Sequence, residues 1–479
     1  MPLPKKKIHI LGIGGVGMGA LAGLLCEAGM EVTGAEGQKI YPPMRTLLEE
    51  LHIPLWIGYS PENLLQTRPE LVVVGNVIRY DNPEVQAVLE HKIPYLSFPE
   101  TLNGYFLRDK KSLVVAGTHG KTTTSSLLAY TLGQLGQDPL FLVGGLLKDR
   151  GRNFRYGKGP FAVLEGDEYD TAFFDKRPKF IHYAPFGGLL TSIEFDHADI
   201  YPDFSSLKQA FSDFVSLIPP DGLLVVADHP EAVAVASKAK GKVLVYGKKG
   251  PHVRLLERQP LASPKPGQRL ILEFQGKTYP LFLPLIGPHN AENALGVFSL
   301  LLGLGYEGKA ISQAMGSFPG VKRRQEQLLN EPVIILDDFA HHPTAVRVTI
   351  EAVKETWPGR RVVAVFEART NTSRRKFFQE EYAKALAGAD MVLLKTLPFP
   401  EKTPLEERLD LEKLVQDLRV QRVPAQIFEG LQDGLNKLLG QLRPQDIVLF
   451  MSNGPLEGLP QVLASAVKKG FRSPEFRVK

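Results

Sequence analysis

Residues 115–122, Val-Ala-Gly-Thr-His-Gly-Lys-Thr, have the types and spacing that phosphoryl chemistry needs. The apolar run Leu113-Val114-Val115-Ala116 precedes a glycine-bearing turn, and a helix-compatible stretch from Thr122 to Leu135 follows it. Glycines let backbone N–H groups of Gly117, Thr118, His119 and Gly120 turn toward a polyphosphate. The helix N-terminus, with Thr123 in its first turn, adds partial positive charge. Lys121 has the reach for β- and γ-phosphates, and the Thr122 hydroxyl suits Mg²⁺. Val115 stands where the longer, common form of this loop has its first glycine. A plain tight turn is the alternative, but the position between strand and helix favours ATP.

Further polar clusters recur after apolar runs. Phe161-Ala162-Val163-Leu164 leads into Glu165-Gly166-Asp167-Glu168-Tyr169-Asp170. An acid at a strand end beside a phosphate loop is a place for Mg²⁺, and Glu165 comes first. Gly187–Ile193 reads as a strand leading into Glu194-Phe195-Asp196-His197-Ala198-Asp199, where His197 is a candidate for a second metal. Asn290 and Asn293 are three apart at a helix start and share a face; they suit an adenine edge or, equally, a cap. Asp337-Asp338, Glu367-Ala368-Arg369-Thr370-Asn371-Thr372 and Ser452-Asn453-Gly454 follow three more apolar runs. Open α/β sheets bind ligands at such strand ends. Near the N-terminus, Gly12-Ile13-Gly14-Gly15-Val16-Gly17 follows strand Ile8–Leu11 and enters a helix, Met18–Ala28. Glu36 ends the next strand. That pattern fits NAD(P), a UDP-sugar diphosphate, or an unliganded turn.

The elements carrying these clusters alternate strand and helix along the whole chain, so the fold class is α/β with doubly wound sheets. At roughly 150 residues per domain, 479 residues make about three domains. Breaks in the pattern place them at 1–107, 108–322 and 323–479, with a β-rich insertion around Ser263–Gly267. Net charge is only +5, which gives no indication of a nucleic-acid partner. The single cysteine, Cys26, lies in an apolar helical run and reads as core filler. No signal-peptide pattern or ~18-residue apolar span is found, so no membrane partner and a cytoplasmic location are expected.

Taken in order, Gly12–Gly17, Gly117–Thr124, Glu165–Asp170, Glu194–Asp199, His289–Asn293, Arg323–Arg324 and Asp337–Thr344 resemble the Mur ligase family of peptidoglycan synthesis. The resemblance implies a UDP-sugar-binding Rossmann-like domain, a central P-loop ATPase domain and a C-terminal domain for the amine substrate. It implies an amide ligase acting on UDP-N-acetylmuramate through an acyl phosphate, with ATP and Mg²⁺. Gly14, Gly15, Val16, Gly17, Met18 and Glu36 would then hold the UDP-sugar. Gly117–Thr123, Asn290, Asn293, Arg324 and Asp338 would hold ATP, with Lys121, Glu165 and His197 catalytic and Thr122, Glu165 and His197 on metal. Tyr41-Pro42-Pro43-Met44, Asp167–Arg177, Arg369-Thr370-Asn371-Thr372 and Met451-Ser452-Asn453-Gly454 resemble the branch that adds a muropeptide-derived tripeptide, L-Ala-γ-D-Glu-meso-diaminopimelate. The alanine-adding branch typically carries a His-Arg-Tyr-Thr-Arg run near 369–373, which this chain lacks. Arg369, Asn371, Thr372, Ser452 and Asn453 would form the peptide pocket, and the role would be peptidoglycan recycling, linked to cell shape and division. Pro455-Leu456-Glu457-Gly458 departs from the glycine-rich continuation of that pattern, and no lysine stands out as a carbamylated metal bridge. The rivals are the L-alanine-adding ligase and, from other classes, an NAD-dependent dehydrogenase and a non-catalytic nucleotide-binding module.

Overall fold

Short apolar runs with no polar alternation become strands buried on both faces, as parallel sheets require. The computed structural model describes residues 6–195, 200–370, 372–399, 401 and 403–470. They divide into two compact units: residues 1–257, 271–281 and 292–319, and residues 258–270, 282–291 and 320–479. Among the described residues, no helix is long and apolar enough to cross a membrane.

The first unit holds a five-stranded parallel sheet in the order Leu55–Ile57, Glu31–Glu36, Lys7–Leu11, Leu71–Val74, Tyr95–Ser97. Strand order reverses at Lys7–Leu11, so a crevice opens where Gly12–Gly17 leaves the sheet. The helix after this turn spans Val16–Glu27, two residues ahead of the expected start. Gly23 on that helix makes room for the buried Phe154 ring, whose Cζ would lie 2.0 Å from an added Cβ. Arg152 bonds Glu27 at 3.0 Å, and the Tyr156 N–H donates to the same carboxylate at 2.7 Å. The segment 152–156 is thereby tied to the first sheet's helix. Cys26 on this helix is half-buried, and burial, with Glu27 beside it, pushes its thiol up to about 11. A thiol so protonated is no nucleophile, in keeping with a packing role.

The same unit contains the parallel run Lys242–Gly247, Leu223–Ala227, Pro185–Leu190, Lys111–Ala116, Phe161–Glu165, Leu140–Leu142, in that spatial order. The strand feeding the phosphate turn therefore lies between the strands that end near Glu165 and Thr191. The expected strand Gly187–Ile193 is shifted to Pro185–Leu190. Beyond Leu190 the chain leaves the ladder, and the Ser192 carbonyl accepts from the Thr118 N–H at 2.7 Å instead.

In the second unit the sheet order is Glu326–Leu329, Ile334–Asp338, Ile447–Met451, Val362–Phe366, Met391–Lys395, Ala425–Phe428. The first pair is antiparallel and the rest are parallel. Asp337 and Asp338 lie inside a strand rather than in the loop after it. Backbone N–H groups meet Asp338, while Asp337 has Arg323 at 3.4 Å.

Candidate functional site

The phosphate turn forms as its glycines demand. Gly117 and Gly120 have φ of +125° and +79°, and Lys121–Gln134 is helical from the next residue. A Cβ on Gly117 would lie 2.2 Å from Thr191 Oγ1, and one on Gly120 would lie 2.4 Å from Asn293 Oδ1. The turn is so closely walled that a side chain is excluded at both positions. Thr191 Oγ1 donates to the His119 carbonyl at 2.7 Å, which fixes the turn from the neighbouring strand end.

Lys121 Nζ donates to the carbonyls of Gly117 (2.6 Å) and Thr118 (3.3 Å) and to Glu168 Oε1 (2.8 Å). Burial works against the ammonium, but Glu168, with Asp167 and Glu165 behind it, outweighs burial and holds the pKa above the ordinary lysine value. The lysine is a fixed cation at working pH. Thr122 Oγ1 donates to Glu165 Oε1 at 2.9 Å, and the Gly144 N–H donates to Glu165 Oε2 at 2.7 Å. A hydroxyl and a carboxylate meeting beside a phosphate turn are the hard oxygen donors that Mg²⁺ selects. Asp167 pairs with Lys179 at 2.5 Å, and the Tyr201 hydroxyl donates to the Glu168 carbonyl at 2.7 Å. Of the acids in this cluster, Glu168 meets the lysine and Glu165 meets the threonine. Glu194 Oε2 lies 3.0 Å from His119 Nε2. His197 lies outside the described residues.

At the glycine turn of the first sheet, Gly12 has φ +79°. The Gly14 N–H donates to Glu36 Oε2 at 2.9 Å and the Gly37 N–H to Glu36 Oε1 at 3.0 Å. Glu36 thus braces the turn on which Gly15, Val16 and Gly17 sit. Val16 is 43% exposed while Met18 is buried, so Val16 is the side chain a ligand would meet there.

In the second unit, Asn290 donates to the Ile286 carbonyl at 2.9 Å and to Gln325 Oε1 at 3.0 Å. Asn290 and Asn293 therefore have different neighbours, Asn293 standing beside Gly120. Asp338 accepts from the N–H groups of Gln325 and Ala340, each at 2.7 Å. Arg323, at φ +59°, donates to the carbonyls of Ser452 (2.7 Å) and Gly454 (2.5 Å) and faces Asp337 at 3.4 Å. Arg324 stacks on Phe339, 4.7 Å from the ring centroid. Arg369 lies over the Phe399 ring at 5.3 Å. Asn453 Oδ1 is buried with no hydrogen-bond partner among the described residues, a group that calls for a ligand or water. Thr372 is half-buried in the same loop as Arg369, and Asn371 lies outside the described residues. The Ser452 hydroxyl is wholly buried; it donates to Glu367 Oε2 at 2.6 Å and accepts from the Gly454 N–H at 2.9 Å.

Sequence reasoning passed over Lys395, which joins Glu367 and Glu457 at 3.1 and 2.7 Å. Its one visible signal is a charge at the very end of the apolar run Met391–Leu394. Glu168 was visible only as one acid among several.

Comparison with known proteins agrees along the full length. Residues 7–109 match the Mur ligase family, catalytic domain; residues 115–301 match the Mur ligase middle domain; residues 323–454 match the Mur ligase, glutamate ligase domain. The UDP-N-acetylmuramate–L-alanyl-γ-D-glutamyl-meso-2,6-diaminoheptandioate ligase of Escherichia coli K12 is 36% identical over 97% of this chain and 98% of its own. The UDP-N-acetylmuramate–L-alanine ligase of Halorhodospira halophila is 33% identical over 97% of this chain and 94% of its own. A murein peptide ligase of known structure from Psychrobacter arcticus superposes with a TM-score of 0.71 at 30% identity, covering 97% and 99% of the two chains.

Proposed function

The chain belongs to the Mur ligase family, and from that premise we propose that it joins L-Ala-γ-D-Glu-meso-diaminopimelate to UDP-N-acetylmuramate at the expense of ATP. The observation that carries the reading is Lys121 held in a walled phosphate turn beside the Thr122–Glu165 pair. That is a phosphoryl-transfer site on a chain similar throughout to a tripeptide-adding ligase. We read the chain as three domains, 1–107, 108–322 and 323–479, working in the cytoplasm, where ATP is available, in peptidoglycan recycling.

A carboxylate is a poor electrophile, so it must first be activated. The lactyl carboxylate of the muramyl sugar attacks the γ-phosphorus, ADP leaves, and an acyl phosphate forms. The tripeptide α-amine then attacks the acyl carbon, the amide forms, and phosphate departs. Charge accumulates on the γ-phosphoryl oxygens during the first step. Lys121, pre-charged and in place, stabilises it without reorganisation. Gly117–Thr123 are assigned to the polyphosphate, with their N–H groups as donors apart from that of Thr118, which the Ser192 carbonyl takes. Thr122 and Glu165 would hold Mg²⁺, whose contribution is charge neutralisation on the phosphates, and His197 is assigned to a second ion. Asn290 and Asn293 are assigned to the adenine, Asp338 to the ribose and Arg324 to a phosphate. Gly14–Met18 and Glu36 are assigned to the UDP-sugar. Arg369, Asn371, Thr372 and Asn453 are assigned to the peptide, with Ser452 supporting them from beneath.

The test is a reaction of the purified protein with ATP, UDP-N-acetylmuramate and either the tripeptide or L-alanine, read by phosphate release and product mass. Tripeptide-dependent phosphate release with the mass of the ligated product is the expected result. Exclusive use of L-alanine would move the chain to the alanine-adding reading. Titration with NADH should give neither specific binding nor hydride transfer, since the glycine turn is followed by an ATP-type loop rather than by a hydride-transfer constellation. Tight binding displaced by Gly14→Val would favour a dehydrogenase instead.

A further inference from the structure

Three neighbouring parallel strands deliver polar residues to one line at their carboxyl ends. Ile447–Met451 is followed by Ser452, Val362–Phe366 by Glu367, and Met391–Lys395 ends on Lys395. Ser452 Oγ donates to Glu367 Oε2 at 2.6 Å, and Lys395 Nζ donates to Glu367 Oε1 at 3.1 Å. From the other side Lys395 bonds Glu457 Oε1 at 2.7 Å, and the Leu431 N–H donates to Glu457 Oε2 at 3.0 Å. The Glu367 side chain is fully buried and that of Lys395 only 7% exposed.

Arg369 stands at the edge of this line in a long ion pair with Glu367, without a hydrogen bond to it. Its Nη1 is 3.8 Å from Glu367 Oε1, too far for a hydrogen bond. Among the described residues its guanidinium donates no hydrogen bond; its neighbours are the Phe399 ring and the close-packed Gly454, where an added Cβ would lie 2.4 Å from Arg369 Cδ. A planar fork whose donors are unspent is suited to a carboxylate.

We propose that Lys395 is a positioning residue for peptide recognition: it holds the Glu367 carboxylate off Arg369, leaving the arginine fork free for a carboxylate of the amine substrate. The proposal rests on the peptide role given to Arg369 above. A fully buried carboxylate must be matched by a cation. With Lys395 present, Oε1 has its partner at 3.1 Å and Ser452 serves Oε2. With Lys395 absent, Arg369 is the nearest cation, and a movement of about 1 Å converts the 3.8 Å approach into a hydrogen-bonded pair. Glu457 contributes by anchoring the lysine, from a backbone at a left-handed φ of +55°.

The experiment measures tripeptide, ATP and UDP-N-acetylmuramate kinetics for Lys395→Met and for Glu367→Gln/Lys395→Met. The single variant should raise the tripeptide KM by about tenfold or more, the usual effect of removing a charged hydrogen bond, while kcat at saturating peptide and the ATP KM change little. The double variant removes the carboxylate that captures Arg369 and should return the tripeptide KM to within about threefold of wild type. An unchanged KM in the single variant overturns the proposal, as does a double variant no better than the single. If Lys395→Met fails to fold, Glu367→Gln alone decides: a KM within about threefold of wild type supports the proposal, and a rise of about tenfold or more overturns it. Wild-type protein that does not use the tripeptide at all would instead reject the functional reading on which this rests.

Discussion

At the scale of single residues, Lys121 and Asp337 show opposite outcomes of burying a charge. Lys121 is surrounded by Glu168, Asp167 and Glu165, so its charge is kept despite desolvation. Lys121→Ala should therefore fold and lose phosphate release by about 10³-fold or more, the effect of removing a preorganised transition-state cation. A folded variant with near wild-type turnover would remove the phosphoryl-transfer assignment. Asp337 is different. Burial raises it from 3.8 to about 6, with Arg323 opposing and Asp338 and Glu326 adding to the rise. The native state then keeps a proton that the unfolded chain releases, so stability from this group falls as pH rises from about 4 to about 6. Integrated over that shift the effect is about 3 kcal/mol, an order-of-magnitude figure. Asp337→Asn lacks the term, so its Tm should gain on wild type across that window and stay parallel above it. A Tm difference constant from pH 4 to 7 would contradict the placement of this acid.

At the scale of elements, the phosphate turn depends on glycine for space as much as for φ. Gly117→Ala places a Cβ 2.2 Å from Thr191 Oγ1 on a backbone at φ +125°. The strain should cost on the order of 1–3 kcal/mol and open the turn, lowering Tm and raising the ATP KM; wild-type values of both would show that the turn has slack. Glycine turns and buried strands were legible in the sequence because each is local: four apolar residues, then glycine, then a helix-compatible run. The end of strand Pro185–Leu190 was not, because its apolar signal continues to Ile193 while the Thr118–Ser192 bond pulls the chain away. Nor was the Ser452–Glu367–Lys395 line, whose members lie 85 and 28 positions apart and meet only because their strands are neighbours. The antiparallel strand Glu326–Leu329, with half-buried polar residues and no clean alternation, left no pattern to read. Among the acids after Phe161–Leu164, order along the chain singled out Glu165, and the structure adds what order could not give: Glu165 meets Thr122 while Glu168 meets Lys121.

At the scale of the whole molecule, the distinction that matters is which amine the enzyme accepts, because both ligase branches share the activation chemistry. Relatives of both branches match nearly the whole chain, at 36% and 33% identity, so overall similarity separates them weakly. The local evidence is stronger. Arg369 holds unspent donors, and Asn453 Oδ1 is buried without a partner among the described residues. Binding L-alanine would leave such groups unpaired, whereas a tripeptide brings carboxylates and amides to meet them. Sites built on polar pairing reject a ligand that lacks the matching groups much more strongly than apolar pockets reject a missing methylene. The tripeptide should therefore exceed L-alanine in kcat/KM by about 10²-fold or more. Arg369→Ala should erase most of that preference by weakening tripeptide use, with L-alanine use and the ATP KM little changed. The loss belongs to binding of the variable substrate, so it should appear chiefly in KM. Competition between the two amines in one reaction, read by the masses of the products, measures the ratio directly. An equal or greater yield with L-alanine would mean that Arg369 and Asn453 face something other than the peptide, and the chain would join the alanine-adding branch.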